Sequence, residues 1–372
     1  MKKLLAVILS VILLAAFVGC SAKPQSSSSA LTNTESEAVS SEAPKFAKDP
    51  LTGEYTLDFS AENKRPVAVM INNIKVSLPQ KGLADAGIIY EADAEAGITR
   101  ILAVFSDVNK IPTLGSLRSA RKYYLSLASS HNAIFAHFGG EGDALNYIKQ
   151  NNLNTLNFLA LSSTRDPKNN PNSTSYRDPE RIGKVPYEHT AFTSGYRLNR
   201  AIEYKKIKTD ANINDAYKFG DNSKVMALGN KADKINFGFS SYNSNVVFDY
   251  NANTGKYEKS QFNQNHIDAN TGETLAFENV LILNAKFSLM YPGTKYKYQN
   301  VDLSSGSGYY ANNGKIIPIS WSKGGMNDEM KYTTTDGKEL IVSPGKTYVG
   351  IIDIDREVKY SSAATEISST TK

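Results

Sequence analysis

The chain has 372 residues and a single cysteine, Cys20, which lies at the end of a short apolar leader. Two lysines follow the first methionine, and an apolar run from Leu4 to Val18 ends at Gly19. A positive start, about 15 apolar residues and a small residue before cysteine are typical of a bacterial lipoprotein signal, and the run is too short for an ordinary membrane span. A lipid-bearing cysteine leaves none for disulfides, thiolate catalysis or metal thiolates.

The leader predicts a signal peptide over residues 1–20, with Cys20 as the lipid-modified mature N-terminus and palmitate among its acyl chains; an uncleaved membrane anchor is the alternative. A diacyl anchor gives the two-chain attachment that stable membrane residence requires. Residues 21–48 and 357–372 are poor in apolar side chains and predict a disordered tether and a disordered tail. We therefore expect a folded body on the extracytoplasmic face of the bacterial cell membrane, held there by lipid.

The folded part divides into two halves of different sequence pattern. Residues 49–215 combine buried-strand runs such as RPVAVMINN with helical periodicity, and they predict an α+β domain. Residues 230–356 contain short strand candidates separated by glycine turns such as NANTGK and TTDGKE, and they predict a β-rich domain of antiparallel sheet. The expected fold class is therefore α+β, with a mixed or antiparallel sheet that has helices packed on one side, followed by a β-rich C-terminal domain.

The stretch IIYEADAEAGITRILAVF, residues 88–105, predicts a β-hairpin with an acidic face. Its first arm alternates apolar and charged side chains, and Ala96-Gly97 is a suitable two-residue turn. Counting back from that turn gives the expected register, in which Glu95 is opposite Ile98, Asp93 is opposite Arg100 and Glu91 is opposite Leu102. Directly opposed residues point the same way, so three carboxylates and one guanidinium group should share a face of the sheet.

The stretch TLGSLRSARKYY, residues 113–124, predicts a helix that begins at Ser116 as its N-cap. Arg118 and Arg121 would then occupy its first two turns, where the positive end of the helix dipole disfavours cations. Residues 110–208 carry 15 Lys and Arg against 7 Asp and Glu, so the arginines lie in a region of cationic excess. This arrangement indicates that an anion compensates them.

Two hypotheses name that anion. In the pairing hypothesis, Arg118 and Arg121 reach across the sheet and neutralise the acidic face, because the guanidinium fork binds carboxylates bidentately. In the ligand hypothesis, arginines converge on an external anionic group, and a glycine turn before a helix adds free N–H groups. The ligand-binding candidates are Arg118, Arg121, Arg177, His137, Gly139 and Gly140. The supporting or acid–base candidates are Glu91, Asp93, Glu95 and Arg100. Both hypotheses can hold if some arginines are paired and one or two are free.

His189, which follows the basic loop, is a further candidate for the ligand site. No pair of histidines has the spacing of metal ligands, and a cation among the carboxylates would meet Arg100, so we expect no metal and no cofactor. The sequence lacks the nucleophile elbow, the zinc-protease motif, the P-loop and the dinucleotide fingerprint. A net charge of +5 on 372 residues does not favour a nucleic-acid ligand.

Several stretches together resemble the YerB-like lipoproteins, a domain-of-unknown-function family with a distinct C-terminal domain. The stretches in the first half are RPVAVMINN, PQKGLADAGIIYEADAEAGITRILAVF, GSLRSARKYY, FAHFGG and YRDPER…VPYEHTAFTS; those in the second half are NVLILNAK, GSGYYANNGKIIPISWSK and DGKELIVSPGKTYVGIID. The resemblance covers residues 65–355. It implies an α+β body, a surface lipoprotein and no settled activity, so it bears on fold and location more than on function.

The leading functional hypothesis is that the first half binds an anionic cell-envelope component, such as peptidoglycan carboxylates or wall-polymer phosphates. One alternative is an envelope hydrolase or transferase that uses Glu91 or Glu95 as acid or base, which requires that carboxylate to line an open cleft. Another is a scaffold that presents the β-rich domain to an unspecified protein partner, for which Trp321, Tyr309 and Tyr310 should form an exposed aromatic patch. The sequence leaves open whether the protein is an enzyme.

Overall fold

A computed structural model describes residues 45–161, 174–295 and 297–362 of the chain. The predicted signal peptide, the lipidation site Cys20 and most of the predicted tether and tail lie outside the described residues.

The structure corrects the predicted bounds of the tether and the tail. Ala47 is buried and exchanges backbone hydrogen bonds with Leu57, so order begins before residue 49. Lys359–Ser361 form a strand that pairs with a neighbour, so order continues beyond residue 356. In both places paired backbone groups hold a segment that its polar composition alone would leave disordered.

The described residues form five α-helices and 24 strands. The helices are α1 Lys122–Ser130, α2 Gly142–Gln150, α3 Phe158–Leu161, α4 Gly195–Tyr204 and α5 Ser223–Ala227. The strands of the first half are β1 Val67–Asn72, β2 Ile88–Glu95, β3 Ile98–Phe105, β4 Leu114–Gly115, β5 Ile134–His137, β6 Leu156–Asn157, β7 Tyr176–Arg177, β8 Ala191–Thr193 and β9 Lys218–Phe219. Those of the second half are β10 Asn230–Lys231, β11 Lys234–Phe237, β12 Val246–Asn251, β13 Lys256–Gln261, β14 Gln264–Asn265, β15 Ala276–Phe277, β16 Asn279–Ala285, β17 Phe287–Leu289, β18 Gln299–Val301, β19 Ser305–Asn312, β20 Lys315–Lys323, β21 Met330–Thr334, β22 Ile341–Val342, β23 Thr347–Asp353 and β24 Lys359–Ser361.

One sheet of eleven strands runs through both halves, in the order β10-β20-β19-β16-β23-β2-β3-β1-β5-β6, with β21 paired to β20. The halves join where Ile88–Ala92 of β2 pair in parallel with Thr347–Ile351 of β23. A smaller sheet has the order β14-β13-β12-β11-β24, with β15 on β13. The predicted α+β class with a β-rich C-terminal part is confirmed. The division into domains at 49–215 and 230–356 remains a prediction.

The prediction of a wholly antiparallel second half is wrong for β23. This strand pairs in parallel with β16 on one side and with β2 on the other. Six of its seven residues are buried, because it lies inside the sheet with both faces covered. Interior parallel strands read as continuous apolar runs, and YVGII in β23 has that pattern.

Alternate residues of the central strands face two apolar clusters on opposite sides of the sheet. One cluster joins Val69 of β1 to Leu198 of α4 and extends to Phe248 in the smaller sheet. The other cluster joins Met70 of β1 to Leu125 of α1. Helices therefore cover both faces of the sheet rather than one side, and the smaller sheet packs on the same face as α4.

The hairpin of β2 and β3 is present, but the predicted register is wrong beyond the turn. Ala96 and Gly97 form the turn with positive φ, and Glu95 is opposite Ile98 as expected. A β-bulge at Ala94 then shifts the register, so that Asp93 is opposite Thr99, Ala92 is opposite Arg100 and Glu91 is opposite Ile101. A shift of one residue moves side chains to the other face. Glu91 therefore points toward the smaller sheet, Glu95 lies beside Arg100, and the shared acidic face does not exist.

Residues 116–121 are not helical, so the prediction of a helix capped by Ser116 is wrong. Leu117 bridges to Ile71 near the end of β1, and Ala120 bridges to Gly140 just after β5. These backbone groups are therefore already paired between two strands, and α1 begins only at residue 122. The segment fills the gap where the parallel strands β1 and β5 separate at their carboxyl ends, which is where ligands bind in open α/β sheets.

Candidate functional site

Glu95 forms ion pairs with two of the four arginines gathered at this edge of the sheet. Its Oε1 accepts a hydrogen bond from Arg100 Nη2 at 2.6 Å, and its Oε2 accepts one from Arg121 Nη2 at 2.7 Å. Both arginines are buried, with 4% and 2% of their surface exposed. Burial and then the charge of Arg121 lower the pKa of Arg100 to about 10, against the opposing effect of Glu95, so Arg100 remains a cation at neutral pH. Arg121 therefore makes a carboxylate contact of the kind that the pairing hypothesis describes.

Arg118 is half-buried and makes no ion pair with any other described residue. Its Nη2 lies 3.0 Å from Nδ1 of His189, and Nδ2 of Asn72 lies 2.7 Å from the same ring nitrogen. Both neighbours are N–H donors, so Nδ1 is the acceptor and the ring proton resides on Nε2. Burial and then the charge of Arg118 lower the pKa of His189, which keeps the ring neutral near pH 7. A neutral partner thus orients Arg118 without neutralising it.

Arg177 packs against aromatic rings instead of a carboxylate. Its Cζ lies 4.2 Å from the ring centroid of Tyr187 and 5.0 Å from that of Phe138. Its Nη1 donates to the carbonyl oxygen of Tyr187 at 2.7 Å, and its buried Nε has no hydrogen-bond partner. Burial lowers the pKa of Arg177. Its contacts fix the short 3₁₀ turn Tyr187–His189 that also carries the partner of Arg118.

The structure brings Arg118, Arg121 and Arg177 within electrostatic range of one another. Burial lowers the pKa of Arg118; Glu188 and Glu95 oppose this shift, and the other two arginines add to it. Glu95 is already shared by two guanidinium groups, and Glu188 is exposed on the rim. The edge therefore carries more cationic than anionic charge, and Arg118 is the cation among these that lacks both a carboxylate contact and full burial.

His137 does not join the arginines. The residue is fully buried, with Nδ1 2.6 Å from the carbonyl oxygen of Gly139 and Nε2 3.0 Å from Oγ1 of Thr155. Burial lowers the pKa of His137 to about 4, so the ring is neutral. The inclusion of His137 among ligand-binding residues conflicts with this geometry, because both ring nitrogens already have protein partners.

The glycine turn also has internal partners. The N–H of Gly139 donates to Oδ1 of Asn157 at 3.0 Å, and a Cβ on Gly140 would lie 2.9 Å from the side chain of Leu145, which would then have to shift. Glu141 caps α2 by accepting hydrogen bonds from the first backbone N–H groups of the helix. The protein's own carboxylate thus occupies the position predicted for an external anion.

Glu91 lies between the two sheets in a buried polar network. Its Oε2 is 3.2 Å from Nζ of Lys259 and accepts a hydrogen bond from Tyr348 at 2.8 Å, and its Oε1 accepts bonds from Asn73 and Thr99 at 2.7 Å each. Glu91 is 0% exposed and Lys259 is 1% exposed. A substrate cannot reach this carboxylate, so the geometry does not support Glu91 as an acid or base.

The other two observations expected for alternative functions are also missing. Glu95 is held by two arginines, which lower its pKa against the raising effect of burial, so it is a poor proton donor or acceptor at neutral pH. Trp321 is 2% exposed and donates to the carbonyl oxygen of Ser307 at 2.9 Å, and Tyr310 is fully buried. The aromatic patch that a scaffold would expose is therefore absent at these positions.

Asp93 is 8% exposed, and its Oδ1 is buried without a hydrogen-bond partner. Burial raises the pKa of Asp93 from 3.8 to about 6, although backbone N–H groups of Glu95 and Gly97 lower it. Between these pH values the folded protein keeps a proton that the unfolded chain has lost. The free energy of unfolding therefore decreases as the pH rises through this window, because ionisation is more costly in the folded state.

Asp93→Asn should remove this cost, since the amide oxygen can still accept the backbone hydrogen bonds. We expect the variant to be more stable than the wild type by about 2 kcal/mol at pH 7.5, with the difference vanishing near pH 3.5. Urea denaturation at both pH values measures this difference in the free energy of unfolding. Asp355→Asn, at an exposed position, serves as the control. Equal stability of variant and wild type at pH 7.5 would contradict the inference that ionisation of the buried Asp93 destabilises the folded state.

Two further observations concern metal ligands and membrane-spanning helices. Across the ranges that the structure covers, no group of three or more His, Cys, Asp and Glu side chains is placed to hold a metal ion. In the same ranges no helix has the length and apolar character needed to cross a bilayer.

Comparison with known proteins identifies the class to which this body belongs. Residues 51–208 match the N-terminal domain, and residues 235–349 the C-terminal domain, of a protein of unknown function called DUF3048. The sequence is 29% identical over 324 residues to a Bacillus subtilis protein described as "Putative lipoprotein YerB". The aligned region covers 86% of this chain and 91% of that protein. The crystal structure of the YerB protein from Bacillus subtilis matches with a TM-score of 0.72 at 27% identity, over 84% of this chain and 99% of that one.

The chain belongs to the YerB-like family and is a lipoprotein by this relationship. The predicted resemblance is confirmed. The family description names no molecular activity, so any specific function has to be argued from the residues.

Sequence reasoning missed two residues that shape the site. Asn72 orients His189, and Tyr187 packs on Arg177. Asn72 follows the last apolar residue of β1, and a polar side chain at the carboxyl end of a buried strand is a usable signal. Tyr187 has no comparable signal, because its partner is ten residues away across an irregular turn.

Proposed function

We propose that this protein is anchored to the outer face of the cell membrane through lipid on Cys20 and binds an anionic group of a cell-envelope component at Arg118. The observation that carries the proposal is a half-buried guanidinium group with a neutral histidine as its partner and no ion pair within the described chain. A cation in such a position lacks compensation that an anionic ligand would supply.

The surroundings of Arg118 favour an anion over other ligands. Arg100, Arg121 and Arg177 add positive potential, and partial burial strengthens it because the local dielectric is lower than that of water. His189, itself held by Asn72, orients the guanidinium group of Arg118, which reduces the conformational entropy lost when a ligand binds. Peptidoglycan carboxylates and wall-polymer phosphates are the anions accessible to a tethered protein at this membrane face.

The direct test is titration of the full chain with soluble peptidoglycan fragments and with anionic wall polymer. We expect Arg118→Gln to weaken binding about ten- to thirtyfold, as the loss of a charge-assisted hydrogen bond predicts. Arg356→Gln is the matched control, because it removes the same charge from an exposed position in the second half.

Binding that is equally strong in Arg118→Gln and in the wild type would contradict the proposed site. An equal loss in Arg356→Gln would mean that net charge alone attracts the ligand. Thermal unfolding of both variants should be close to that of the wild type, because neither side chain makes an ion pair with a described residue.

A further inference from the structure

Tyr187 presents an exposed aromatic ring two residues from His189, the side chain that contacts Arg118, and Arg177 holds this ring in position. The residue is 55% exposed, yet Arg177 covers its ring with the guanidinium carbon 4.2 Å from the centroid. Tyr187 begins the 3₁₀ turn that ends at His189, the hydrogen-bond partner of Arg118. One short turn therefore carries both the exposed ring and the side chain that orients Arg118.

Arg177 is itself too buried to contact a ligand, because only 9% of its surface is exposed. It makes no ion pair with another described residue, and its buried Nε lacks a hydrogen-bond partner. A buried guanidinium group without a carboxylate is costly. The side chain contacts the ring and carbonyl oxygen of Tyr187 and the ring of Phe138. The contacts of this buried cation hold the tyrosine in place, which makes Arg177 a positioning residue.

We infer that Tyr187 is a stacking subsite and that the ligand carries a sugar ring next to the anionic group bound by Arg118. The axial C–H groups of a pyranose form a flat, weakly positive face that packs on the electron-rich face of an aromatic ring. A tyrosine fixed on one side and exposed elsewhere gives such a face without loss of side-chain freedom on binding. This inference rests on the proposed function, since Arg118 supplies the contact to the anion.

The test compares anions that do and do not carry a ring. Probes with a carboxylate are N-acetylmuramic acid and lactate; probes with a phosphate are N-acetylglucosamine 1-phosphate and glycerol 3-phosphate. In titrations of the full chain followed by NMR, each sugar-bearing anion should bind about three- to tenfold more tightly than its ring-free counterpart. If the two carboxylate probes bind more tightly than the two phosphate probes, the anionic group of the ligand is a carboxylate; the reverse order identifies a phosphate.

Variants then separate stacking from charge. Tyr187→Ala should abolish the preference for the sugar-bearing anion, and Tyr187→Phe should keep it. Arg177→Gln should reduce the preference for the sugar-bearing anions, beyond the uniform weakening of all four probes that loss of its positive charge causes. A merely structural or charge role would weaken all four probes equally and leave the preference unchanged. Tyr204→Ala, at a tyrosine that is 76% exposed on α4, should change nothing.

The outcomes distinguish this inference from the proposed function. A sugar preference that survives Tyr187→Ala, while Arg118→Gln still weakens every probe, overturns the stacking subsite and leaves the anion site standing. The same holds if the wild type shows no preference for sugar-bearing anions. If no anion binds to the wild type, both the proposed function and the stacking subsite are wrong.

Discussion

Lys259→Met is expected to lower the free energy of unfolding by about 3–5 kcal/mol, because it leaves the Glu91 carboxylate buried without its counter-ion. The two side chains are 1% and 0% exposed, and their charged atoms are 3.2 Å apart. Lys259 also donates to Gln261 and His266 at 3.0 Å each, so His266 would lose its donor and Gln261 would keep only the bond from Asn73. Urea denaturation of the full chain measures the loss.

The double variant Glu91→Gln with Lys259→Met gives the decisive comparison. Replacing both charges with neutral groups of similar shape removes the desolvation of each, so it should recover much of the stability lost in the single variant. Lys218→Met is the control, because Lys218 pairs with Glu339 on the exposed surface, where an ion pair contributes little. If the single variant at Lys259 were as stable as the control, the buried pair would not be ionised.

The position of this pair between the sheets also explains why it escaped prediction. Glu91 lies on β2 and Lys259 on β13, so 168 positions separate partners whose contact depends on how the smaller sheet packs. Sequence periodicity reports which residues share a face of one strand, but not which distant strand covers that face. The alternation in IIYEADAE therefore predicted a charged face and could not predict its partner.

Local features of the fold were predictable because they depend on neighbouring residues. The turn at Ala96-Gly97 follows from the preference of such turns for positive φ, and the strands on either side follow from their apolar pattern. The bulge at Ala94 was not predictable, because nothing in an alternating strand marks where an extra residue is inserted. The bulge therefore determines which carboxylate of the hairpin contacts which arginine.

The error at Ser116 has a different cause. The residues that follow it have a helical arrangement of apolar side chains, and Gly115-Ser116 is typical of a helix start, but their backbone groups pair with the ends of β1 and the segment after β5. Tertiary hydrogen bonds thus override local propensity over residues 116–121. The helix-dipole part of the argument for an anion at Arg118 is lost with this error, whereas the cationic excess of residues 110–208 does not depend on a helix, and the anion remains a prediction.

The second large effect is expected for Glu95→Gln, which should lower the free energy of unfolding by about 3 kcal/mol, because two buried guanidinium groups lose the carboxylate between them. Arg100 and Arg121 hold the pKa of Glu95 below its usual range even though burial raises it. A carboxylate with a depressed pKa stabilises the folded state above its ordinary pKa and loses that effect as the pH falls. The difference between variant and wild type should therefore shrink in acid, which denaturation at pH 7 and pH 3 can measure.

Glu95→Gln should also tighten the binding of anionic probes severalfold, because Glu95 partly offsets the positive potential at Arg118. Glu188→Gln is the matched control: it removes the other carboxylate acting on Arg118, but from an exposed rim position, so affinity should rise while stability stays unchanged. Lower stability with unchanged affinity in Glu95→Gln would mean that the ligand binds beyond the field of this carboxylate. Since Glu95 and Arg118 share one edge of the sheet, that result would remove the anion site from Arg118.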